Sequence, residues 1–211
     1  MGMFAEATGS NGQLPRFLTL RPVRPGTIRI SARQLDDLLR QVENITLRAR
    51  NLLAGRSQSD LATGLEATSW SVLECLDHLT QTTNAFIPAI VSAMAGAPRL
   101  TRNRTLRTGT LTGLFIRNLE PPYRFRFKVP AQLTPRRRDL ASSWVEFEAS
   151  QAQLAKTIAS AAGLAIDQVR VESPVYARFS YNVYGALRML AAHERRHLWQ
   201  IERILKALDP A

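Results

Sequence analysis

Sulfur and imidazole are both scarce in this chain of 211 residues, which holds one cysteine, Cys75, and three histidines. A single cysteine excludes an internal disulfide and is the usage of a reducing compartment. No apolar run is long enough to span a bilayer. The first residues lack the basic-then-apolar pattern of a secretory leader. A cytoplasmic protein with no membrane association is the expectation. Acidic residues are also few: 17 Asp and Glu stand against 28 Lys and Arg, a net charge of +11. That balance admits an acidic partner. However, the arginines are spread over the whole chain. The densest run, Arg136-Arg137-Arg138, lies where a helix is expected to begin, a place the helix dipole does not favour for cations. No helix-turn-helix, zinc-finger or RNP pattern accompanies the charge, so nucleic acid is a partner without a supporting motif.

Four long segments are nearly free of helix breakers and carry apolar residues at helical spacing. The first, 31–54, opens on Ser31-Ala32-Arg33-Gln34, which reads as a capping box, and ends at Gly55. A polar connector, 56–68, follows, with room for one helical turn. The second helix, 70–95, is capped by Ser69 and ended by Gly96 and Pro98; Pro88 predicts a local kink in it. The third, 136–162, takes Pro135 as its first residue. The fourth, 181–208, has Ser180 and Asn182 as candidate caps. Residues 1–30 read as an irregular arm. The stretch 97–134 is long, basic and broken by Gly and Pro, and its alternation Arg124 to Val129 reads as extended chain. A connector of that length fits a chain crossing the whole domain before its next helix. The expectation is an all-α fold over residues 31–208: a four-helix bundle with a long crossover between helices two and three.

Two of the three histidines stand four apart, in His193-Glu194-Arg195-Arg196-His197, within the fourth helix. The i, i+4 spacing puts both imidazoles on one face, where together they can hold one divalent transition metal. His193, Glu194 and His197 fall on the apolar stripe and should point inward, while Arg195, Arg196 and Gln200 fall off it. The pattern matches the H-E-x-x-H of zinc proteases. A downstream ligand is missing, however: no histidine follows His197, Glu202 and Asp209 are too near in sequence to reach back, and the H-x-x-G-x-x-H extension is absent. If a third histidine completes a site, only His78 on the second helix remains. The helical wheel sets His78 well away from the stripe of Leu73, Leu76, Leu79 and Phe86, on a face of small residues such as Cys75 and Thr82.

The segments Trp70-Ser71-Val72-Leu73-Glu74-Cys75-Leu76-Asp77-His78-Leu79 and His193-Glu194-Arg195-Arg196-His197-Leu198-Trp199-Gln200-Ile201 resemble the DinB/YfiT-like four-helix metalloproteins. Leu119-Glu120-Pro121-Pro122-Tyr123-Arg124 is similar to one subgroup of them. The resemblance covers about residues 31 to 208. It implies one divalent metal, often zinc or nickel, held by His78, His193 and His197. It also implies a homodimer, and for some relatives a transfer reaction that uses a low-molecular-weight thiol on a small-molecule substrate.

Three neutral imidazoles leave coordination positions open, the pattern of a catalytic rather than a structural metal. The function so implied is that of a metal-dependent thiol S-transferase or hydrolase-like enzyme. Glu194 then serves as a base or an orienter of the ligands, or alternatively pairs with a nearby arginine. Cys75, one turn before His78, is expected as a core thiol, with contact to the metal as its alternative. Two further classes stay open: a non-enzymatic metal-binding or dimerisation module, and a nucleic-acid-binding protein using the basic surface.

Overall fold

The structure is a computed structural model that describes residues 29–66, 69–123, 128–136, 139–176 and 179–208. Most of the expected N-terminal arm, the alternation at 124–127 and the Arg137-Arg138 pair lie outside those residues. The fold is mostly helical. Six α-helices are present among the described residues: α1 (Arg29–Leu53), α2 (Gln58–Ala62), α3 (Val72–Ala95), α4 (Thr110–Leu119), α5 (Leu140–Ser160) and α6 (Val183–Leu208). A single 3-10 turn, Ala131–Leu133, precedes α5, and a two-stranded sheet of β1 (Arg170–Glu172) and β2 (Ser180–Asn182) precedes α6.

The four long helices close a ring of neighbours. Both α3 and α1 pack between α5 and α6. Leu76 and Leu79 of α3, Phe147 and Leu154 of α5, and Leu190 and Leu198 of α6 are fully buried at its centre. Each such side chain stabilises the fold by about 1.5–3 kcal/mol relative to exposure. The short α4 lies on the outside of α6.

The helix starts differ from the sequence reading, each for a reason visible in the hydrogen bonds. Ser31 sits inside α1 rather than at its cap. The orphan first-turn amide of Ile30 donates instead to Asn103 Oδ1, 2.8 Å away, which the crossover supplies. Gln34, expected in a capping box, clamps the crossover: its amide donates to Leu106 O at 3.1 Å and its oxygen accepts from Leu106 N at 2.8 Å. The second long helix is capped by Ser71, not Ser69. Ser71 and Glu74 form a reciprocal capping box, while Ser69 closes a turn on Glu66. The third begins at Leu140, capped by Asp139, whose carboxylate accepts from Ser142 N at 2.9 Å. Arg136 therefore precedes the helix, and an anion rather than a cation meets the N-terminal dipole. α3 runs unbroken through Pro88, whose missing amide would have bonded the carbonyl of Asn84, an exposed residue.

The crossover and the stretch between α5 and α6 both hold structure that helical periodicity does not reveal. The crossover contains α4, which periodicity missed because Gly113 interrupts a ten-residue segment. The stretch between α5 and α6 forms the β1–β2 hairpin, with Val171 opposite Tyr181 and both buried. Three residues per strand are too few for an alternation to stand out. The hairpin fixes where α6 begins. Asn182 ends β2, its Oδ1 accepts from Gly185 N at 2.7 Å, and its amide donates to Arg107 O at 2.7 Å.

A candidate metal centre of three histidines

α3 and α6 are neighbours, and each carries its histidines to their shared face. His78 comes from the second turn of α3, and His193 and His197 from the middle of α6. The three rings lie with centroids 4.6 to 5.1 Å apart, and one nitrogen of each falls within 4.8 Å of the others. The off-stripe position of His78 is no obstacle. The first half of α3 has no solvent face, because α2 and the 3-10 turn cover the side that the helical wheel leaves bare. Both His78 and His197 are buried, and His193 is partly buried.

The outer ring nitrogens set the tautomers. His78 Nδ1 lies 2.9 Å from the carbonyl oxygen of Leu133, an acceptor only, so this nitrogen carries the hydrogen and leaves Nε2 with a lone pair. His197 Nδ1 is 3.0 Å from Gln200 Oε1, which acts in the same way. His193 Nε2 stands 3.2 Å from His78 Nε2. Two nitrogens on one tetrahedral zinc, each about 2.1 Å from it, stand about 3.4 Å apart, so this separation fits a shared ion. His193 Nδ1 is buried and has no protein hydrogen-bond partner among the described residues.

Burial, first of all, pushes each imidazole below its ordinary range. His193 is lowered to about 3, with His78 and the Arg196 guanidinium adding to the effect. His197 is held well below the usual value by burial, then by His193 and His78. His78 is lowered by burial, against the pull of the Leu133 carbonyl. Neutral imidazole is the form that ligates metal. Trp70 covers the cluster, with its ring stacked on His197 at 5.8 Å and tilted against His78 at 4.8 Å.

Glu194 does not join the cluster. Its Oε1 accepts from Gln151 Nε2 of α5 at 2.8 Å and from Thr83 Oγ1 of α3 at 3.2 Å. Its Oε2 is buried with no hydrogen-bond partner among the described residues, and burial raises its pKa to about 7. The arginine pairing weighed for it falls instead to Glu120, which accepts from Arg195 Nε at 2.9 Å. Cys75 is a fully buried core thiol, outside the cluster and pushed up by burial.

Arg196, expected on the outer face, is buried. Its guanidinium lies 3.5 Å from the centre of the Tyr123 ring. Arg195 and Arg196 thus hold Glu120-Pro121-Pro122-Tyr123 against α6 beside the histidines. Gln200, at i+3 from His197, was within reach of helical spacing. Leu133 was not, because a backbone carbonyl on an irregular segment leaves no sequence signal.

A mostly helical fold that gathers three neutral imidazoles, with no carboxylate among them, defines a helical protein whose site is compatible with a divalent metal. Residues 39–201 match the DinB superfamily, and the chain belongs to that superfamily. No curated protein and no solved structure matches it.

Proposed function

We propose that residues 31–208 form a four-helix bundle of the DinB type that binds one divalent ion, zinc or nickel, through His78, His193 and His197. In this reading the protein uses the ion in a thiol-dependent transfer reaction on a small-molecule substrate. The observation that carries the metal reading is the pair of fixed outer nitrogens. Leu133 O and Gln200 Oε1 each take the Nδ1 hydrogen of a histidine, which turns the Nε2 lone pairs of His78 and His197 to the inside. The closed ring of long helices supports the bundle reading.

Bound there, a divalent cation would act as a Lewis acid that makes a thiol or water easier to deprotonate. The chain's own groups do the remainder. The imidazoles, kept neutral by burial, present nitrogen donors at pH 7. Trp70 shields them from bulk water. Glu194 acts as an anchor of α6 through Gln151 and Thr83 rather than as a base, since both of its hydrogen bonds run to groups other than the imidazoles. The thiol reading draws on the three-nitrogen donor set, which leaves a coordination position for a substrate sulfur.

Metal analysis of the purified protein beside a His193→Ala/His197→Ala double variant tests the site. The parent should carry about one ion per chain and the variant almost none. Equal content in the two would defeat the assignment.

A further inference from the structure

Beside His78 stands a second buried polar residue, Asp77, only 2% exposed. A carboxylate on the second turn of a buried helix segment needs donors, and Asp77 finds them on α3 and on the segment before α5. Gln81 Nε2 donates to it from one turn along α3, and the backbone amide of Arg136 donates to its Oδ2 at 2.6 Å. The Gln81 amide also reaches Thr134 O at 3.4 Å. Residues 134–136 are therefore tied to α3 at two points, directly after the 3-10 turn whose last residue, Leu133, offers its carbonyl to His78 Nδ1. The turn itself is three residues long, with Ala131 and Gln132 exposed; Gln132 Nε2 donates to Val175 O at 3.3 Å, and only Leu133 is buried.

We propose that Asp77 is a positioning residue for the three-histidine centre: its carboxylate fixes the start of the segment leading to α5, and this aims the Leu133 carbonyl at His78. The inference rests on the metal reading above and adds a residue and a chain of dependence to it. Asp77 and His78 are adjacent on α3, so their side chains diverge by about 100°. Asp77 therefore acts through the crossover rather than by touching the ligand-binding nitrogens. The crossover is thereby coupled to the site. An ion drawing on His78 Nε2 strengthens the Nδ1–H bond to Leu133, and the segment held by Asp77 should stiffen with it.

The test uses the full chain, Zn²⁺ as the probe, and three variants: Asp77→Ala, Asp77→Asn and Leu154→Ala. Leu154 is fully buried in α5 and is not among the groups placed at the centre, so it reports a pure loss of packing. Asp77→Ala should weaken Zn²⁺ binding about tenfold or more. Asp77→Asn, which keeps one oxygen for the Arg136 amide, should fall between Asp77→Ala and the parent and serves in its place if the alanine variant does not fold. Leu154→Ala should hold its affinity within about twofold of the parent, despite a larger fall in Tm. In the parent, Zn²⁺ should slow backbone hydrogen exchange over residues 131–136, and in Asp77→Ala that slowing should vanish. Unchanged affinity in both Asp77 variants, or a loss matched by Leu154→Ala, overturns the proposal. A parent that binds no more Zn²⁺ than the His193→Ala/His197→Ala protein brings down the metal reading and this proposal with it.

Discussion

His78 and His193 are 115 positions apart in sequence, yet their Nε2 atoms stand 3.2 Å from each other. At that distance the pair is a hydrogen bond, with a hydrogen on one of the two nitrogens. Since His78 already carries its hydrogen on Nδ1, it must lie on His193 Nε2, which leaves the buried Nδ1 of His193 a bare acceptor. Under the metal reading proposed above, His78 and His193 would both offer Nε2 lone pairs to the ion, and the His193 hydrogen would then sit on Nδ1.

Acid should therefore release metal and weaken the metal-free fold. All three imidazoles have folded-state pKa values below the ordinary one of about 6.5, with His193 near 3. Below pH 6.5 the unfolded chain takes up protons that the folded chain refuses. The stability that the neutral histidines hold at pH 7 is then lost as pH falls from about 6.5 towards 3. Urea titrations of metal-free protein should show the midpoint falling between pH 7 and pH 4.5. Replacing all three histidines with Gln should remove much of that slope, and an unchanged slope would show that other groups set it.

How much of this was legible in the residues depends on the range of the interaction concerned. The long helices and the i, i+4 histidine pair are local patterns, and periodicity finds them. The approach of His78 was not legible from its wheel position, because that projection assumes one solvent face and the first half of α3 has none. The start of α1 is hidden because a distant group, Asn103, serves its first turn, whereas α3 and α5 take local caps, Ser71 and Asp139, a few residues on from the positions that composition suggests. Glu194 sits on the inward stripe as expected, but which inner neighbour it meets is decided by Gln151 on α5 and Thr83 on α3, and no spacing within α6 encodes that.

Gln200 gives the most direct test of the outer hydrogen bonds. Gln200→Leu keeps the side-chain volume but removes the acceptor for His197 Nδ1–H. Zn²⁺ affinity, measured against a competing chelator, should fall about 10- to 100-fold, with little change in Tm because residue 200 is only partly buried. Gln200→Glu, which accepts more strongly, should bind at least as tightly as the parent. Parent-like affinity in Gln200→Leu would remove Gln200 from the site.

Gly185→Ala reverses the usual expectation for a helix. Alanine is the better helix former by about 1 kcal/mol. Here, however, a Cβ would stand 2.9 Å from Asn182 Oδ1, 2.9 Å from Thr112 Cγ2 and 3.2 Å from Thr108 O. It would push α4 off α6 and disturb the Asn182 cap at once. We expect a net loss of about 1–3 kcal/mol by chemical denaturation, the range for overpacking. A gain in stability would mean that α4 does not rest on α6 as described.

Glu194→Gln should raise stability above neutrality and leave it almost unchanged in mild acid. Burial raises the Glu194 carboxyl to about 7, from the ordinary 4.5. The folded chain thus holds a proton that the unfolded chain gives up, and the stability this contributes is present below about pH 4.5 and lost as pH rises through 7. Glutamine is neutral at every pH. Its oxygen can still accept from Gln151 and Thr83, and its NH₂ stands where the unpartnered Oε2 was, able to donate to the equally unpartnered Gln151 Oε1. The variant should match the parent near pH 5 and exceed it at pH 8, by roughly 1–3 kcal/mol given 1.36 kcal/mol per pKa unit. Tm measured for both proteins from pH 5 to pH 8.5 should show the gap opening with pH. A constant gap would mean that Glu194 is already ionised in the fold at pH 5. A variant weaker at every pH would mean that the carboxylate charge itself helps to hold α6 in place.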